Sequence, residues 1–428
     1  MDSKQPGRRR FIGKGVALAG LAVSPAGMAL APESASAQAR ASGVPDMNSM
    51  EYVLYGARSH FVDTVRILEG PNHHETRGPR PDPYRPSAGT PVKDLIGIIT
   101  PTSLHFATQH SYGIPDINPK EHRLTLHGLV ERPLVFTLDD LKRFPAVSRV
   151  HFLECVGNKH TPRDKNVNDT HGRMACSEWT GVPLSVLLKE AGVKNQATWI
   201  VAEGLDGGKH TKSVPMAKVM DDVLVAYGQN GEPVRPDHGY PLRLLVPGFE
   251  GIYNVKWLRT IKVVDGPYVG FQENSRFTAP DRRARDFIYE LGPKSVITFP
   301  SGEDRLLERG LYAISGLAWS GGGTVRRVEV STDGGRTWKD AQLQEPVLKR
   351  AFTRFHLMWK WNGEETVLQS RCIDDLGQVQ PSVAEYARFW NKSVSEIHRT
   401  TGSKFGHANF IQPWKVTADG TVQNALEA

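Results

Sequence analysis

The stretch Arg149-Val150-His151-Phe152-Leu153-Glu154-Cys155-Val156-Gly157-Asn158-Lys159-His160 governs the reading of this chain. Val150 and Phe152 alternate with His151, Leu153 and Cys155, which predicts a buried strand ending at a thiol, with Gly157 and Asn158 opening a loop. A thiol at the exit of a strand is held accurately, and as a thiolate it suits a soft or high-valent transition metal. With no second cysteine nearby, zinc and iron–sulfur clusters lose support. On these residues alone, an ordinary buried cysteine is the simpler account.

The chain has 428 residues, 39% of them hydrophobic, a size that predicts about two to three domains with substantial cores. Its net charge of +7 is concentrated at the start, where residues 1–37 carry five basic and two acidic side chains. No basic run interleaved with aromatics occurs, which argues against nucleic-acid binding. Arg8-Arg9-Arg10-Phe11-Ile12-Gly13-Lys14 precedes an apolar stretch from Val16 to Ala31 that ends near Ala35-Ser36-Ala37. This predicts a twin-arginine export signal over residues 1–37 and a periplasmic protein. A membrane anchor is not expected, because Gly20, Ser24 and Pro25 interrupt the run. Export in the folded state suits a protein that receives a cofactor in the cytoplasm. Cys155 is expected to be unpaired, and the pairing of Cys176 with Cys372 is left open. Residues 38–92, rich in Pro, Gly and Arg, predict an irregular extension over the surface.

Residues 93–278 mix strands and helices without regular alternation. Leu124, Leu126 and Gly128 suggest a strand, Thr137 with Asp140 suggests a capping box for a helix to Phe144, and Pro183 and Gly192 bracket another helix. No G-x-G-x-x-G or Walker loop is present, so nicotinamide and nucleoside triphosphate chemistry lose their usual support. Arg243 lies inside the apolar run Leu242 to Val246, where burial demands an anionic partner. Asp237 or Glu250 would satisfy it locally. A phosphate held by Arg243 and Lys256, in a predicted sheet region shared with Asp206 and His238, is the alternative. Residues 279–428 shift to short alternating strands, Val325 to Val330 and Thr366 to Cys372, with a hairpin turn over Ser331 to Trp338, which predicts a β-sandwich. The fold expected is therefore α+β: a mixed α/β domain followed by a sandwich.

Cys155-Val156-Gly157-Asn158, the run Phe106 to His110, and His238 to Arg243 through Asn254-Val255-Lys256-Trp257 together resemble the sulfite oxidase family of molybdenum enzymes. The resemblance extends from about Ile98 to the C-terminus. It implies a molybdenum–molybdopterin cofactor (Moco) with Cys155 as the protein ligand to the metal. Phe106, Ala107, Thr108, Gln109 and His110 fall on a pterin-contacting segment. Asp206 matches a cofactor-binding aspartate, His238 and Arg243 match the pair that holds the phosphate, and Asn254, Val255 and Lys256 complete the pocket. Trp179 resembles a tryptophan lining the substrate side. The C-terminal domain resembles the family's immunoglobulin-like dimerisation domain, which implies a homodimer.

The sequence departs from sulfite-oxidising members where they hold their dianionic substrate with arginines. Thr108, His160 and, by a looser match, Ser393 occupy those positions, while Arg276 falls where a substrate-side tyrosine is found; Arg276 and Lys159 could restore some charge. Within the family the sequence is similar to the molybdenum subunits of sulfane dehydrogenases. That implies oxidation of a sulfane sulfur on a carrier-protein cysteine to the sulfonate level, with His160 and Arg276 as substrate-side residues. The chain has no C-x-x-C-H motif for a c-type haem. A dihaem cytochrome c subunit of the SoxD type is thus the implied electron acceptor, in a heterotetramer. The rival readings are a periplasmic sulfite dehydrogenase acting on free sulfite and a non-catalytic binding protein.

Overall fold

In the computed structural model, the strand Val147–Glu154 ends one residue before Cys155, and both faces of its second half, His151 to Glu154, are covered. The residues described are 56, 58–59, 61–68, 87–109, 113–158, 160–206, 210–270, 289–399 and 406–426. The export signal, His110, Lys159 and Arg276 lie outside them. Everything below concerns the unit Thr64–Ala428.

Two five-stranded sheets form the first half. In one, Glu232–Pro233, Leu224–Gln229, Met174–Pro183 and Val147–Glu154 pair in that order, all antiparallel, and Arg243–Leu245 joins Leu224–Gln229. The other runs Leu134–Phe136, Leu124–Gly128, Leu258–Val264, Trp199–Gly204, Thr211–Pro215, with one parallel pair between Leu124–Gly128 and Leu258–Val264. Leu124, Leu126, Leu188, Ile261 and Val225 share the core between them. Short-range signals act as the sequence suggests. Thr137 and Asp140 form a capping box, although the α-helix, Leu138–Leu141, stops before Phe144. Helix Leu184–Ala191 starts after Pro183 and ends at Gly192, whose φ of 71° is the left-handed cap that glycine adopts readily. Gly128 is required sterically, since a Cβ there would strike the Val263 backbone.

The second half is a β-sandwich. One sheet orders Lys294–Phe299, Gly310–Trp319, Thr353–Trp361 and Gln342–Leu343; the other orders Lys339–Asp340, Val325–Ser331, Thr366–Asp374, Trp414–Val416 and Val422–Asn424. The turn after Ser331 is the expected hairpin, with Asp333 Oδ1 accepting from the Arg336 and Thr337 amides and Val330 opposite Lys339. Cys155, Cys176 and Cys372 are all buried free thiols, so Cys176 and Cys372 do not pair. Burial pushes the Cys176 thiol up to about 12. Among the described residues no helix is long and apolar enough to cross a membrane.

Strand Val147–Glu154 joins the two halves because side chains alternate along it. Phe152 points into the sandwich core, against Phe352 and Trp319. Leu153 and Cys155 belong to the opposite cluster with Phe106 and Trp179. The alternation visible in the sequence thus separates a face that fastens two cores from a face that presents a thiol.

Candidate functional site

A solvent-open pocket of about 680 Å³, open space included, lies beside Cys155. Its wall comes chiefly from loops at strand ends: Phe106, Ala107 and Thr108 from the segment before the first core strand, Asp206 and His210 after Trp199–Gly204, His238 from the short 3-10 helix Pro236–His238, and Asn254 and Lys256 before Leu258–Val264. Of these predicted residues, only Arg243 lies on a strand, so Asp206, His238 and Lys256 converge through loops and not on a shared sheet. Gln109 stands just behind the wall and accepts from Lys256 Nζ at 2.9 Å. Val255 is a core residue, 1% exposed, whose amide donates to the Tyr253 carbonyl and whose carbonyl accepts from the Leu244 amide.

The wall is rich in cationic and unsatisfied groups. Arg243 is buried; Nη1 donates to the His238 carbonyl at 2.9 Å, Nη2 to the Asn254 carbonyl at 3.3 Å, and Nε has no partner. Neither carboxylate expected to satisfy Arg243 makes a hydrogen bond to it: Asp237 pairs with Arg66, and both Glu250 oxygens lack partners. Burial lowers the Arg243 guanidinium to about 9. Lys256 donates to the Thr108 and Asp237 carbonyls, both at 3.0 Å, and burial with Arg243 nearby lowers it to about 7. His105 Nε2 and Thr108 Oγ1 are also without partners. Buried donors in this condition are costly unless something polar meets them. An anionic, hydrogen-bonding ligand fits this wall. Sequence reasoning missed His105 and His210, which line the pocket, and Arg66, which reaches Asp237 and the Thr102 carbonyl; it named Asp237 only as a local partner for Arg243 and Trp257 only within the matched run, and both line the pocket. Only a tertiary contact could reveal Arg66, since it sits in a segment without periodicity.

Behind the thiol the environment reverses. Glu154, fully buried, accepts from Asn158 Nδ2 at 2.9 Å and Lys294 Nζ at 2.8 Å through Oε1, and from Trp319 Nε1 at 2.7 Å and His407 Nε2 at 2.9 Å through Oε2. Burial alone would raise this carboxyl, but Lys294 and His407 outweigh it and hold Glu154 well below the usual carboxylate range. Asn158 also accepts from the Arg173 amide, and the Cys155 amide donates to the Arg173 carbonyl, so the loop carrying the thiol is tied at both ends. The Gly157 amide lies 3.4 Å from Cys155 Sγ, where it stabilises a thiolate.

The description "Oxidoreductase molybdopterin binding domain" matches residues 111–272, and "Mo-co oxidoreductase dimerisation domain" matches residues 285–395. The crystal structure of the sulfane dehydrogenase SoxCD from Paracoccus pantotrophus is similar at 38% identity and a TM-score of 0.78, over 94% of this chain and all of that one. The chain belongs to the sulfite oxidase family. Mitochondrial sulfite oxidase of Mus musculus is 33% identical over 72% of this chain, and the NADH nitrate reductase of Ulva prolifera 35% identical over 56%. The alignments span 62% and 32% of the length of those two relatives.

As a sulfite oxidase family member the chain is a molybdopterin oxidoreductase, and its residues fit the cofactor. The orphaned Arg243 Nε and the lysine beside it suit a phosphate. Among the described residues no group of three His, Cys, Asp or Glu side chains could hold a metal unaided. Cys155 is the one thiol on the pocket wall among the described residues. Two predicted substrate-side residues are placed elsewhere. His160 is outside the pocket wall, 2% exposed, stacked on Phe410 at 3.9 Å and bonded to Gln412 and the Ala408 carbonyl. Burial, with Lys294 nearby, lowers its pKa well below 6.5 and keeps it neutral. Trp179 is a core residue with no exposure, donating to the His151 carbonyl and lying under Arg243 at 4.8 Å. Its bulk is spent supporting the arginine. Ser393 caps helix Val394–Arg399 through the Glu396 amide and is no substrate ligand in this arrangement.

Proposed function

We propose that this chain is the molybdenum subunit of a periplasmic sulfane dehydrogenase, oxidising sulfane sulfur on a carrier-protein cysteine to the sulfonate level and passing electrons to a dihaem cytochrome c subunit. The similarity to the Paracoccus sulfane dehydrogenase along nearly the whole chain carries this reading. Thr108 supports it, a neutral group on the pocket wall where the resemblance places an arginine in sulfite-oxidising members. A charge-assisted hydrogen bond contributes about 1.5–3 kcal/mol, so losing one weakens capture of a small dianion by roughly tenfold to a hundredfold.

When bound, the molybdenum centre supplies two-electron oxygen-atom transfer to sulfur, and three such turnovers take a sulfane to a sulfonate. The protein's part is placement and charge. Cys155 would hold the metal, with the Gly157 amide supporting its thiolate. Arg243, Lys256 and His238 are placed to grip the phosphate, and Asp206 and Asn254 to fix the pterin. The Glu154 brace holds the cysteine's strand end against the sandwich so that the thiol does not shift between turnovers. Electron exit requires a partner, and the twin-arginine signal and the dimerisation domain point to an exported dimer joined by cytochrome subunits.

The test is purification of the exported protein with a co-expressed cytochrome, metal analysis, and cytochrome reduction by sulfite and by a carrier bearing cysteine persulfide. Stoichiometric molybdenum, loss of activity in Cys155→Ser and reduction by the persulfide carrier alone are expected. Saturable reduction by free sulfite at low concentration would make the protein a sulfite dehydrogenase instead, and mature protein without molybdenum would end both readings.

A further inference from the structure

His105 lines the cofactor pocket, is 2% exposed, and has a ring nitrogen, Nε2, with no partner. Its position is fixed from several sides. It follows the 3-10 helix Thr102–Leu104, its amide donates to the Pro101 carbonyl at 3.0 Å, and the next amide, of Phe106, donates to Thr90 Oγ1 at 3.0 Å. The ring stacks on Phe106 at 5.0 Å and meets Trp179 edge-on at 6.0 Å. Trp179 also carries the Arg243 guanidinium, and the His238 ring lies 4.6 Å from that of His105. These contacts put His105 at the end of the pocket where Arg243, Lys256 and His238 suit a phosphate.

The protons in this corner follow from the partners. His105 Nδ1 faces the Phe106 carbonyl at 2.8 Å, and a carbonyl only accepts, so Nδ1 carries the hydrogen. Nε2 of the neutral ring is then a lone pair. His238 differs, because both of its nitrogens are engaged. Gln229 Nε2 donates to Ser177 Oγ, which turns Gln229 Oε1 to accept from His238 Nδ1 at 2.9 Å, and Arg66 Nη2 donates to His238 Nε2 at 3.4 Å. Burial, followed by His238, Arg243 and Arg66, holds the His105 pKa well below 6.5, so its ring is neutral in the cofactor-free protein. A lone pair repels a phosphate oxygen, whereas one added proton makes the same nitrogen a charged donor to it. An anion at this end also reverses the field that keeps the proton away.

We propose that His105 is a further anion ligand at the phosphate end of the pocket, and that it takes one proton from solution as the anion binds, changing Nε2 from acceptor to donor. No bond between heavy atoms forms or breaks. The role rests on the fit of the wall to the cofactor and not on which sulfur compound is oxidised. The charged groups around His105 are Arg243, Lys256 and Arg66, the last paired with Asp237. Lys256 titrates near 7, so at about pH 6 it is largely protonated before an anion arrives, and proton uptake there reports on histidine.

The experiment titrates the full-length cofactor-free protein with sulfate, which stays a dianion and so cannot supply the proton itself. Calorimetry at about pH 6 in buffers of different ionisation enthalpy counts the protons taken up. Wild type is expected to take up about 0.5–1 proton per sulfate, and its affinity to fall by up to about tenfold per pH unit between about pH 5 and 6.5. H105Q, whose amide donates without titrating, should bind sulfate within about threefold of wild type at that pH, with little uptake and a flat pH dependence. H105F, which has no donor, should bind about tenfold more weakly. Histidine 15N spectra of the wild-type protein, with H105Q assigning the resonance, should show His105 doubly protonated in the molybdenum-loaded holoenzyme and singly protonated without cofactor. Sulfate binding by wild type without proton uptake would overturn the proposal, as would uptake unchanged in H105Q or a His105 ring that stays neutral in the loaded holoenzyme. Failure of wild type to bind sulfate at all would remove the anion site itself. Failure of the loaded protein to oxidise the persulfide carrier would end the sulfane reading and leave each of these readouts decisive for His105.

Discussion

Behind Cys155, the buried carboxylate of Glu154 meets Lys294, His407, Trp319 and Asn158; in the pocket ahead of it, buried Arg243 and half-buried Lys256 lie against backbone carbonyls and a glutamine, with no carboxylate bonded to either. Both regions take charge out of water, which is costly in either case. The first recovers that cost within the chain, so its charges serve the fold and tie strand Val147–Glu154 to the sandwich. The second leaves the cost standing until an anion arrives, so its charges serve binding. A buried charge that the fold does not satisfy is better evidence of a ligand than one that it does.

Removing one partner from the satisfied cluster should have the largest effect. Lys294→Met strands the Glu154 charge and should destabilise the cofactor-free protein by about 3–5 kcal/mol in denaturant unfolding, with much of the loss restored in the Glu154→Gln, Lys294→Met double variant. If the single variant unfolds like wild type, the brace has no structural weight. In the unsatisfied cluster the prediction inverts. Arg243→Met should leave the stability of cofactor-free protein within about 1 kcal/mol, yet lower cofactor retention by roughly tenfold to a hundredfold, measured as pterin released on dialysis. A large stability loss with retention intact would erase the distinction between the regions.

A finer test uses pH. Lys256 titrates near 7 in the folded protein, below the ordinary lysine value of 10.5, because burial and Arg243 disfavour its charge. Between those two values the unfolded chain binds the extra proton, so this group makes cofactor-free stability rise with pH across that window and adds no slope below about 7. Binding of inorganic phosphate to cofactor-free protein should weaken as pH climbs above 7, by at most about tenfold per pH unit, and Lys256→Met should flatten that dependence. A smaller loss than that of Lys294→Met is expected of Trp319→Phe, which removes one of Glu154's four donors but leaves its charge partners, and should cost about 1.5–3 kcal/mol, read as a shift in the denaturation midpoint.

Legibility in the sequence follows the range of the interactions. The strand before Cys155, the caps at Thr137 and Gly192 and the hairpin after Ser331 were readable because each rests on residues a few positions apart. Most of the pocket wall was readable through the family resemblance, with Phe106, Thr108, Asp206, His238, Arg243, Asn254 and Lys256 all found around one cavity. His160 and Trp179 were misplaced because position in a motif does not report which way a side chain turns. Arg66 was missed because its contacts lie 36 and 171 residues away, with the Thr102 carbonyl and Asp237.

The sequence by itself determined the α+β order, the sandwich after the mixed domain, the thiol at a strand end and the family. Local periodicity, capping and motif spacing carry those, and all act within short stretches of chain. Tertiary structure alone decided that Glu154 is answered by Lys294 and His407, that Arg243 is answered by no carboxylate, and that His105 lies ring to ring with His238. Burial and pairing belong to groups brought together from distant segments, and the cost of a charge is set by those neighbours once water is gone.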